Sequence, residues 1–366
     1  MERAIREILA DPGILGDAAE SMASDADLRL AGINSMQVLQ ILTAIEDRFA
    51  IEVPDEVVRP ETFSSIQALA TAIETVAGRE PSVRRDDTRF PGQSEHHSRT
   101  PAGQMSASGV VLTSSADESV HSGLRAGLAK LFAGEVGEHY TAPPVIARSI
   151  SERVGYPTSF PHLLGEVHGA REGGDSGPTD LVLTSVACHH VYPLISEGAR
   201  PDSGCLSVEA ACFRNEATAE TGRLRSFRMY EVVRWGTADE VAAWRHRALS
   251  SAEGWLRDLG LDLETTVAND PFFGSTGRYL ASAQQSEELK WEMLADVADD
   301  LPQAVASVNY HKSHFGEAFG LRARDGSVGH SACVGFGLDR VTLALKQRHG
   351  GIVSAWPETV RARLGL

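Results

Sequence analysis

The pattern of apolar and polar residues divides this chain of 366 residues into three segments. Residues 1–78 follow a helical period, in which apolar side chains recur three or four positions apart. Residues 79–108 are polar, rich in proline, glycine and serine, and lack any apolar period, which predicts a flexible linker. Residues 109–366 mix helical stretches with short apolar runs and glycine-rich turns. The pattern therefore predicts two folded domains, 1–78 and 109–366, joined by a linker.

Five short runs in the second domain are predicted to be strands, because they are apolar and bounded by turn residues. They are residues 181–188, 204–212, 226–235, 304–310 and 330–338. Several are separated by loops of hairpin length rather than by helices, which favours a mostly antiparallel sheet. The predicted fold class is α+β: a helical N-terminal domain, then an antiparallel sheet flanked by helices.

Composition indicates where the protein acts. Hydrophobic residues make up 42% of the chain and charged residues 23%, which is ordinary for a globular protein. No apolar run reaches membrane-spanning length, and the first residues form an amphipathic pattern rather than a signal peptide. We therefore expect a cytoplasmic protein with no membrane partner. In a reducing compartment its four cysteines serve as thiols or metal ligands rather than as disulfides.

The charge argues against a nucleic-acid partner. The formal net charge is -16, and residues 1–78 contain 14 acidic residues against five arginines and no lysine. Proteins that grip a phosphate backbone concentrate lysine and arginine in order to displace counterions. A tRNA substrate is therefore not expected.

Ser35 stands at the predicted start of a helix in the N-terminal domain. Gly32 permits a tight turn before it, and Asn34 is a good helix cap. Free backbone amides and the helix dipole at such a start favour a phosphate ester. A serine that only caps the helix explains the pattern alone at least as well. The apolar positions that follow it are Met36, Leu39, Ile41, Leu42, Ile45 and Phe49.

The stretch from Gly32 to Met36, which reads GINSM, resembles the G-x-D-S-L box of acyl carrier proteins. The resemblance extends over almost all of residues 1–78. It implies a bundle of four helices in which Ser35 receives 4′-phosphopantetheine. Asparagine replaces the usual aspartate of the box, and methionine replaces the usual leucine.

The second domain contains no glycine-rich phosphate loop of the P-loop or Rossmann type. Two arginine patterns are the candidates for binding a nucleotide instead. In the first, two predicted strands form a hairpin in which Arg214 offers a planar, bidentate donor to a phosphate. Glu216 can accept a hydrogen bond from an adenine amino group, and Phe227 can stack on the base. A structural ion pair explains this arginine alone equally well.

The second pattern, GFGLDR, ends at Arg340 and leads into a helix, where the arginine offers a cation to terminal phosphates. Alone it also fits an ordinary turn. Together and in this order, the two patterns resemble motifs 2 and 3 of class II aminoacyl-tRNA synthetases. The resemblance implies catalysis by Arg214 and Arg340 on ATP bound with Mg²⁺. It implies that ATP is bound by Arg214, Glu216, Arg223, Phe227 and Arg340.

A candidate for motif 1 precedes these two patterns. It consists of a helix over residues 144–155 and a strand within 158–164 that ends at Pro161. This resemblance is looser. In that family motif 1 builds the dimer interface, so the resemblance implies a homodimer.

Cys188, Glu231 and Cys333 have no spacing that predicts a metal site, and a buried cysteine is often only a small core residue. Residues from about 120 to 366 are, however, similar to the zinc-dependent seryl-tRNA synthetases of methanogens. They are more similar still to the amino acid:[carrier protein] ligases. The resemblance implies that the three residues hold a zinc ion. Three protein ligands leave one position open, where the α-amino group of a free amino acid can bind.

Other polar residues near these motifs receive less specific predictions. Cys205 and Cys212 are expected inside strands. Ser307 and Asn309 lie where class II synthetases place magnesium or substrate contacts, although Gln303 occurs near the position of an expected metal-binding glutamate. Four histidines are expected to be structural or, at most, to lie behind the metal ligands: His189, His190, His311 and His314.

The predicted reaction is the ATP-dependent activation of a small amino acid as an aminoacyl-adenylate, with glycine or alanine as the expected substrate and serine as a further candidate. The amino acid then passes to the phosphopantetheine thiol of a carrier protein, in cis or in trans. One alternative is aminoacylation of tRNA by a zinc-dependent synthetase, which the acidic extra domain disfavours. Another is a non-catalytic synthetase paralogue, which the presence of every motif residue disfavours.

Overall fold

The computed structural model describes residues 1–11, 14–28, 30–31, 33, 35–49, 51, 53–54, 57, 61–77, 105–170, 174–196, 201–215, 220–273, 280–282, 284–299 and 301–366. The chain divides into two compact units. The N-terminal unit comprises Met1–His96 with Asn269–Glu287, and the sheet unit comprises His97–Ala268 with Glu288–Leu366. Within the described ranges, no helix combines the length and the apolar composition that crossing a bilayer requires.

The described part of the N-terminal unit contains four helices along residues 1–77, as the helical period predicts. They are α1 (Glu2–Leu9), α2 (Ala18–Ser21), α3 (Ser35–Phe49) and α4 (Ile66–Ala77). Their apolar faces meet in one core, in which Ile41, Leu42 and Ile45 of α3 are fully buried. Leu280, from the segment Asn269–Glu287, packs on the same core. The predicted four-helix bundle is confirmed.

The sheet unit contains the strands β1 (Met105–Ala107), β2 (Val110–Val111), β3 (His139–Ala142), β4 (Val145–Ala147), β5 (Glu166–Ala170), β6 (Ser176–Leu183), β7 (Gly204–Phe213), β8 (Ser226–Gly236), β9 (Glu264–Val267), β10 (Lys290–Asp296), β11 (Pro302–Lys312) and β12 (His330–Gly337). Seven of them form one sheet in the order β3-β7-β8-β12-β11-β10-β9. Every pair in it is antiparallel except β3 with β7. The predicted antiparallel sheet is confirmed, and β7, β8, β11 and β12 lie where the sequence predicts them.

The helices of this unit are α5 (Ser115–Leu131), α6 (Arg148–Arg153), α7 (Tyr156–Ser159), α8 (Val191–Ser196), α9 (Ala238–Asp258), α10 (His314–Phe319), α11 (Leu338–His349) and α12 (Glu358–Leu364). The longest, α9, begins with a capping box. The Thr237 side chain accepts from the backbone N–H of Glu240, whose carboxylate accepts from the backbone N–H of Thr237. The smaller sheets are β1-β2 and β4-β6-β5.

The two faces of the seven-stranded sheet differ because successive side chains of a strand point to opposite sides. On one side, α5, α9 and α11 pack on apolar residues, and we call this side the helix-covered face. Its strand residues include Tyr230, Val232, Ala306, Val308, Ala332, Val334 and Phe336. We call the opposite side the site face. Its residues include Phe227, Glu231, Asn309, Cys333 and Gly335.

The predicted motif 1 is wrong. Residues 158–164 contain no strand but the end of α7 and a turn. Helix α6 is only six residues long, because Val145–Ala147 pairs with β6 as a strand. The order expected of motif 1, a helix followed by a strand that ends at a proline, occurs earlier in the chain. Helix α5 is followed by β3, which runs parallel to β7, and then by Pro143.

The prediction that Cys188 ends a strand over residues 181–188 is wrong. Strand β6 ends at Leu183, and Cys188 lies in a 3₁₀ helix, Ala187–His190. The backbone N–H groups of Ala187 and Cys188 donate to the carboxylate of Glu231, not to a neighbouring strand. Only the first three residues of that predicted strand belong to β6.

Candidate active site

The site face brings together residues that are far apart in sequence. Glu231 of β8 lies opposite Gly335 of β12, and Cys333 of β12 lies opposite Asn309 of β11. Residues directly opposite each other in antiparallel strands point to the same side of the sheet. Cys188 joins them from the 3₁₀ helix, whose first two N–H groups each donate to one oxygen of Glu231, both at 3.2 Å.

Cys188, Glu231 and Cys333 form a compact group of potential metal ligands. One ligand atom from each residue lies within 4.8 Å of the others, and all three residues are at most 3% exposed. Zinc bonds of about 2.3 Å to sulfur and about 2.1 Å to oxygen place tetrahedral ligand atoms roughly 3.5–4 Å apart. Two sulfurs and one carboxylate are donors that zinc accepts. The group therefore fits a zinc ion.

The electrostatics of this group also favour a cation. Burial, aided by the charge on Cys333, raises the pKa of Glu231 to about 7. The hydrogen bond between the two thiols, together with burial, raises the pKa of Cys188 well above its usual value. The same bond holds the pKa of Cys333 well below its usual value despite burial. Because three acidic groups share one buried space, a divalent cation would stabilise their charged forms together.

The hairpin of β7 and β8 positions the first arginine pattern. Arg214 follows β7 directly, and its backbone N–H donates to the carbonyl of Arg225 at 2.9 Å. Its guanidinium carbon lies 5.4 Å from the ring centroid of Phe227 on β8, a cation–π arrangement that holds both side chains in one place. Arg223 is paired with Glu220, its Nε donating at 2.9 Å. Glu216 lies outside the described residues.

Arg340 is anchored to the loop that joins β7 to β8. Its Nε donates to the carbonyl of Gly222 at 2.8 Å, and a terminal nitrogen donates to that of Ala304 at 3.0 Å. The Gln303 amide donates to the carbonyl of Thr221 in the same loop at 2.6 Å. The two arginine patterns are therefore joined through this loop, and Gln303 helps to hold it.

Two polar contacts of the site were missed or only partly foreseen. The carboxylate of Asp339 accepts from the backbone N–H of Arg228 at 2.6 Å, which fixes the start of α11 to the start of β8. In the sequence, only the position of Asp339 directly before Arg340 in GFGLDR indicated that Asp339 belongs to the site. The Asn309 amide donates to the Cys333 sulfur at 3.5 Å and to the Ser307 hydroxyl at 3.3 Å. Asn309 thus lies beside a metal-binding candidate, on the strand predicted for substrate contacts.

Neither His189 nor His190 belongs to the group of potential ligands. The ring of His189 packs edge-on against the rings of Tyr156 and Phe315, and a ring nitrogen of His190 lies 3.0 Å from the hydroxyl of Thr184. Cys205 and Cys212 are buried on β7, as predicted for strand residues, and burial raises the pKa of both thiols.

Ser35 is the first residue of α3, at the helix start where the sequence predicts it. Its side chain lies outside the described residues, as do Gly32 and Asn34. At a helix start, several backbone N–H groups have no partner within the helix and can be offered to a phosphate.

Comparison with known proteins gives one family match and several relatives. Residues 3–73 match the family described as phosphopantetheine attachment site. The chain is 42% identical over 245 residues to amino acid–[acyl-carrier-protein] ligase 1 of Bradyrhizobium diazoefficiens, a match over 61% of this chain and 75% of that one. It is 37% identical over 76 residues to the aminoacyl carrier protein of Agrobacterium fabrum, a match over 21% of this chain and 92% of that one.

Among solved structures, the fold is similar to M. kandleri SerRS, solved in complex with A. aeolicus tRNASec. The TM-score is 0.61 at 18% sequence identity, over 85% of this chain and 70% of that chain. At this identity the likeness concerns the fold alone.

Proposed function

The chain belongs to the family of amino acid–[acyl-carrier-protein] ligases and carries a phosphopantetheine attachment domain at its N-terminus, and on that premise we propose which reaction its residues perform. The protein activates a small amino acid, glycine or alanine, with ATP, and transfers it to the phosphopantetheine thiol of a carrier protein. The observation that supports this most strongly is the buried group Cys188, Glu231 and Cys333 on the site face. Its member Glu231 lies on the same strand, β8, as Phe227, which contacts Arg214.

The amino acid is recognised through its α-amino group. Cys188, Glu231 and Cys333 would hold a zinc ion, which would offer one further position to a neutral amine. The two N–H donors on the Glu231 carboxylate fix its orientation before any substrate arrives. Because Phe227, which contacts Arg214, lies four residues from Glu231 on the same face of β8, an amino acid held by its amine at the metal can direct its carboxylate towards Arg214. This selects a free amino acid over a peptide or a carboxylic acid without an amine.

The arginines act on the phosphates of ATP, which binds with Mg²⁺. Phe227 stacks on adenine, whose amino group donates to Glu216, and Arg223 contributes to the same site. The amino acid carboxylate attacks the α-phosphorus and pyrophosphate leaves. Arg214 stabilises the charge that develops on the α-phosphate, and Arg340 holds the departing pyrophosphate. The phosphopantetheine thiol then loses its proton to the solvent and attacks the adenylate carbonyl carbon, so that the thioester bond forms while the bond to AMP breaks and AMP is released.

The acceptor thiol is the one carried by Ser35 of the same chain. The N-terminal unit is a four-helix bundle, and its sequence is similar to that of an aminoacyl carrier protein. A flexible linker of 30 residues, which is what the composition of residues 79–108 predicts, spans on the order of 30 Å. Such a span suits delivery of a tethered arm to a site on the same molecule.

We further propose that the protein is a cytoplasmic homodimer. None of its four cysteines forms a disulfide, which suits a reducing compartment. Helix α5 and strand β3, followed by Pro143, have the order expected of motif 1 and are the surface we assign to the dimer.

An ATP–pyrophosphate exchange assay with a panel of amino acids tests the proposal. We expect zinc-replete protein to exchange pyrophosphate with glycine or alanine, to lose this activity after dialysis against a chelator, and to regain it with added zinc. Absence of exchange with every amino acid would indicate a non-catalytic paralogue. Efficient charging of bulk tRNA would instead indicate a tRNA synthetase.

A further inference from the structure

A hydrogen-bonded cluster lies directly behind the Cys333 sulfur. The Nε2 atom of His311 lies 3.6 Å from that sulfur. The other ring nitrogen, Nδ1, lies 3.0 Å from the hydroxyl of Tyr192 and 3.1 Å from the hydroxyl of Ser331. Tyr192 and Ser331 are fully buried, and their hydroxyl oxygens lie 3.3 Å apart. Both nitrogens of the His311 ring therefore face specific partners.

The partners of the ring determine which nitrogen carries the proton. A metal-bound cysteine sulfur has no hydrogen and can only accept, so favourable contact requires an N–H at Nε2. Nδ1 is then an acceptor with one lone pair, to which the hydroxyl of Tyr192 can donate, while the hydroxyl of Ser331 can donate to the Tyr192 oxygen. The Cys333 sulfur then receives two N–H donors, one from His311 and one from Asn309. Hydrogen bonds to a thiolate stabilise its charged, metal-binding form.

The cluster also joins the segments that carry the two cysteines. Tyr192 is the second residue of α8, which follows the 3₁₀ helix of Cys188 without a break. Ser331 lies two residues before Cys333 on β12. The Tyr192 ring stacks on Phe315 with centroids 4.0 Å apart, which fixes the direction of its hydroxyl. The His311 ring thus lies between a contact to the Cys188 segment and a contact to the Cys333 strand.

The backbone is distorted where His311 enters the cluster. The register between β11 and β12 shifts between Tyr310 and Lys312, so His311 is the extra residue of a bulge. Bulges redirect side chains and are common beside active sites. Lys312 adopts a φ of 51°, which is uncommon for a residue with a side chain. Such backbone outliers persist where the surrounding structure enforces them, and they cluster at functional sites.

We propose that His311 is a positioning residue that holds the Cys333 sulfur in its metal-binding orientation, with its ring fixed by Tyr192. The proposal rests on the metal site of the proposed function. Partners that orient a metal ligand typically change metal affinity by about 10–100-fold when they are removed. We therefore expect His311→Ala to raise the zinc Kd by about 10–100-fold.

The test measures the zinc Kd of the full-length protein by competition with a chromophoric chelator. His311→Gln, which keeps an N–H donor, should lose less affinity than His311→Ala. Tyr192→Phe removes one oxygen from a fully buried ring, and it should weaken zinc binding without preventing folding. His330→Ala is the matched control, because His330 also pairs with a tyrosine hydroxyl, that of Tyr310 at 2.7 Å. Its Kd should stay within twofold of the wild-type value.

A second readout uses cobalt in place of zinc. In the cobalt-loaded protein, loss of a hydrogen bond to the thiolate should shift the sulfur-to-metal charge-transfer band in His311→Ala and leave it in place in His330→Ala. Wild-type zinc affinity and an unshifted band in both His311→Ala and Tyr192→Phe would overturn the inference alone. Failure of the wild-type protein to bind zinc would instead overturn the metal site of the proposed function, and this inference with it.

Discussion

The two faces of the seven-stranded sheet use the same strands for different purposes. On β12, Ala332, Val334 and Phe336 are fully buried against helices, while Cys333 and Gly335 between them belong to the site face. Because the alternation has a period of two, each strand contributes to the core and to the chemistry at once. The comparison teaches that stability and activity can be altered separately by substituting neighbouring residues.

The largest expected effect comes from the helix-covered face. Phe336 is fully buried, and its ring lies 6.4 Å from that of Phe132 and 6.2 Å from that of Trp255. We expect Phe336→Ala to lower the free energy of unfolding by about 3–5 kcal/mol, because it leaves a cavity in a closely packed core. Urea denaturation measures this. A loss below about 1 kcal/mol would show that the two faces are not divided in this way.

The site face should show the opposite behaviour at Arg214. We expect Arg214→Ala to lower kcat for pyrophosphate exchange by about 10²–10³-fold, the usual cost of removing one donor aimed at transition-state charge. The free energy of unfolding should change much less than in Phe336→Ala, because Arg214 is only partly buried and its cation–π contact with Phe227 contributes on the order of 1 kcal/mol. Arg257→Ala is the control, since Arg257 pairs with Glu253 on the exposed side of α9. An equal loss of kcat in the control would contradict the assignment.

Gly335 should have a smaller effect, which falls on metal binding. A Cβ added there would lie 3.1 Å from the Cε of Met229 and 3.3 Å from the Cγ of Glu231. We expect Gly335→Ala to displace the Glu231 carboxylate and to weaken zinc binding about tenfold. Gly351→Ala is the control, because nothing lies within 4 Å of its added Cβ. Equal zinc affinities of the two variants in chelator competition would refute this.

The smallest effect is electrostatic and belongs to the helix-covered side. Burial acts to raise the pKa of Glu118, but hydrogen bonds from Arg228 and Arg125 outweigh it and lower the pKa to about 2. Because the pKa of Glu118 is lower in the folded protein, its charge stabilises the fold fully at pH values above the ordinary pKa of 4.5. This contribution to the free energy of unfolding disappears as the pH falls towards 2. Because Glu118 is partly exposed, we expect Glu118→Gln to cost less than about 1 kcal/mol at pH 7. Unfolding curves of the two proteins should converge towards pH 2, and a constant difference would argue against the ion pairs.

The fold could be predicted largely from the apolar pattern. Strands β7, β8, β11 and β12 follow from their composition and turns, and the bundle follows from the helical period of α3. Strands β3, β9 and β10 were not predicted, because each is short or lacks a clear alternation of apolar and polar residues. Motif 1 was misplaced because residues 145–147, which were assigned to the start of a helix, pair with β6 as a strand.

The site was harder to predict, because its residues meet only in the folded chain. No spacing connects Cys188, Glu231 and Cys333, and only a family resemblance pointed to them together. The residues that surround the Cys333 sulfur were harder still to predict from the sequence. A bulge at His311 and a 3₁₀ helix at Cys188 change which way single side chains point, and each interrupts the period of two from which the directions of strand side chains are predicted.

Loading of the protein's own carrier domain is the central claim, and intact-mass spectrometry tests it most directly. The phosphopantetheinylated full-length protein would be incubated with ATP, Mg²⁺, zinc, glycine and alanine, with Ser35→Ala as the control. The account predicts a mass gain of one aminoacyl group that is absent from the control. An intact arm that gains no mass, on protein that exchanges pyrophosphate, would contradict it and show that the acceptor is a separate carrier.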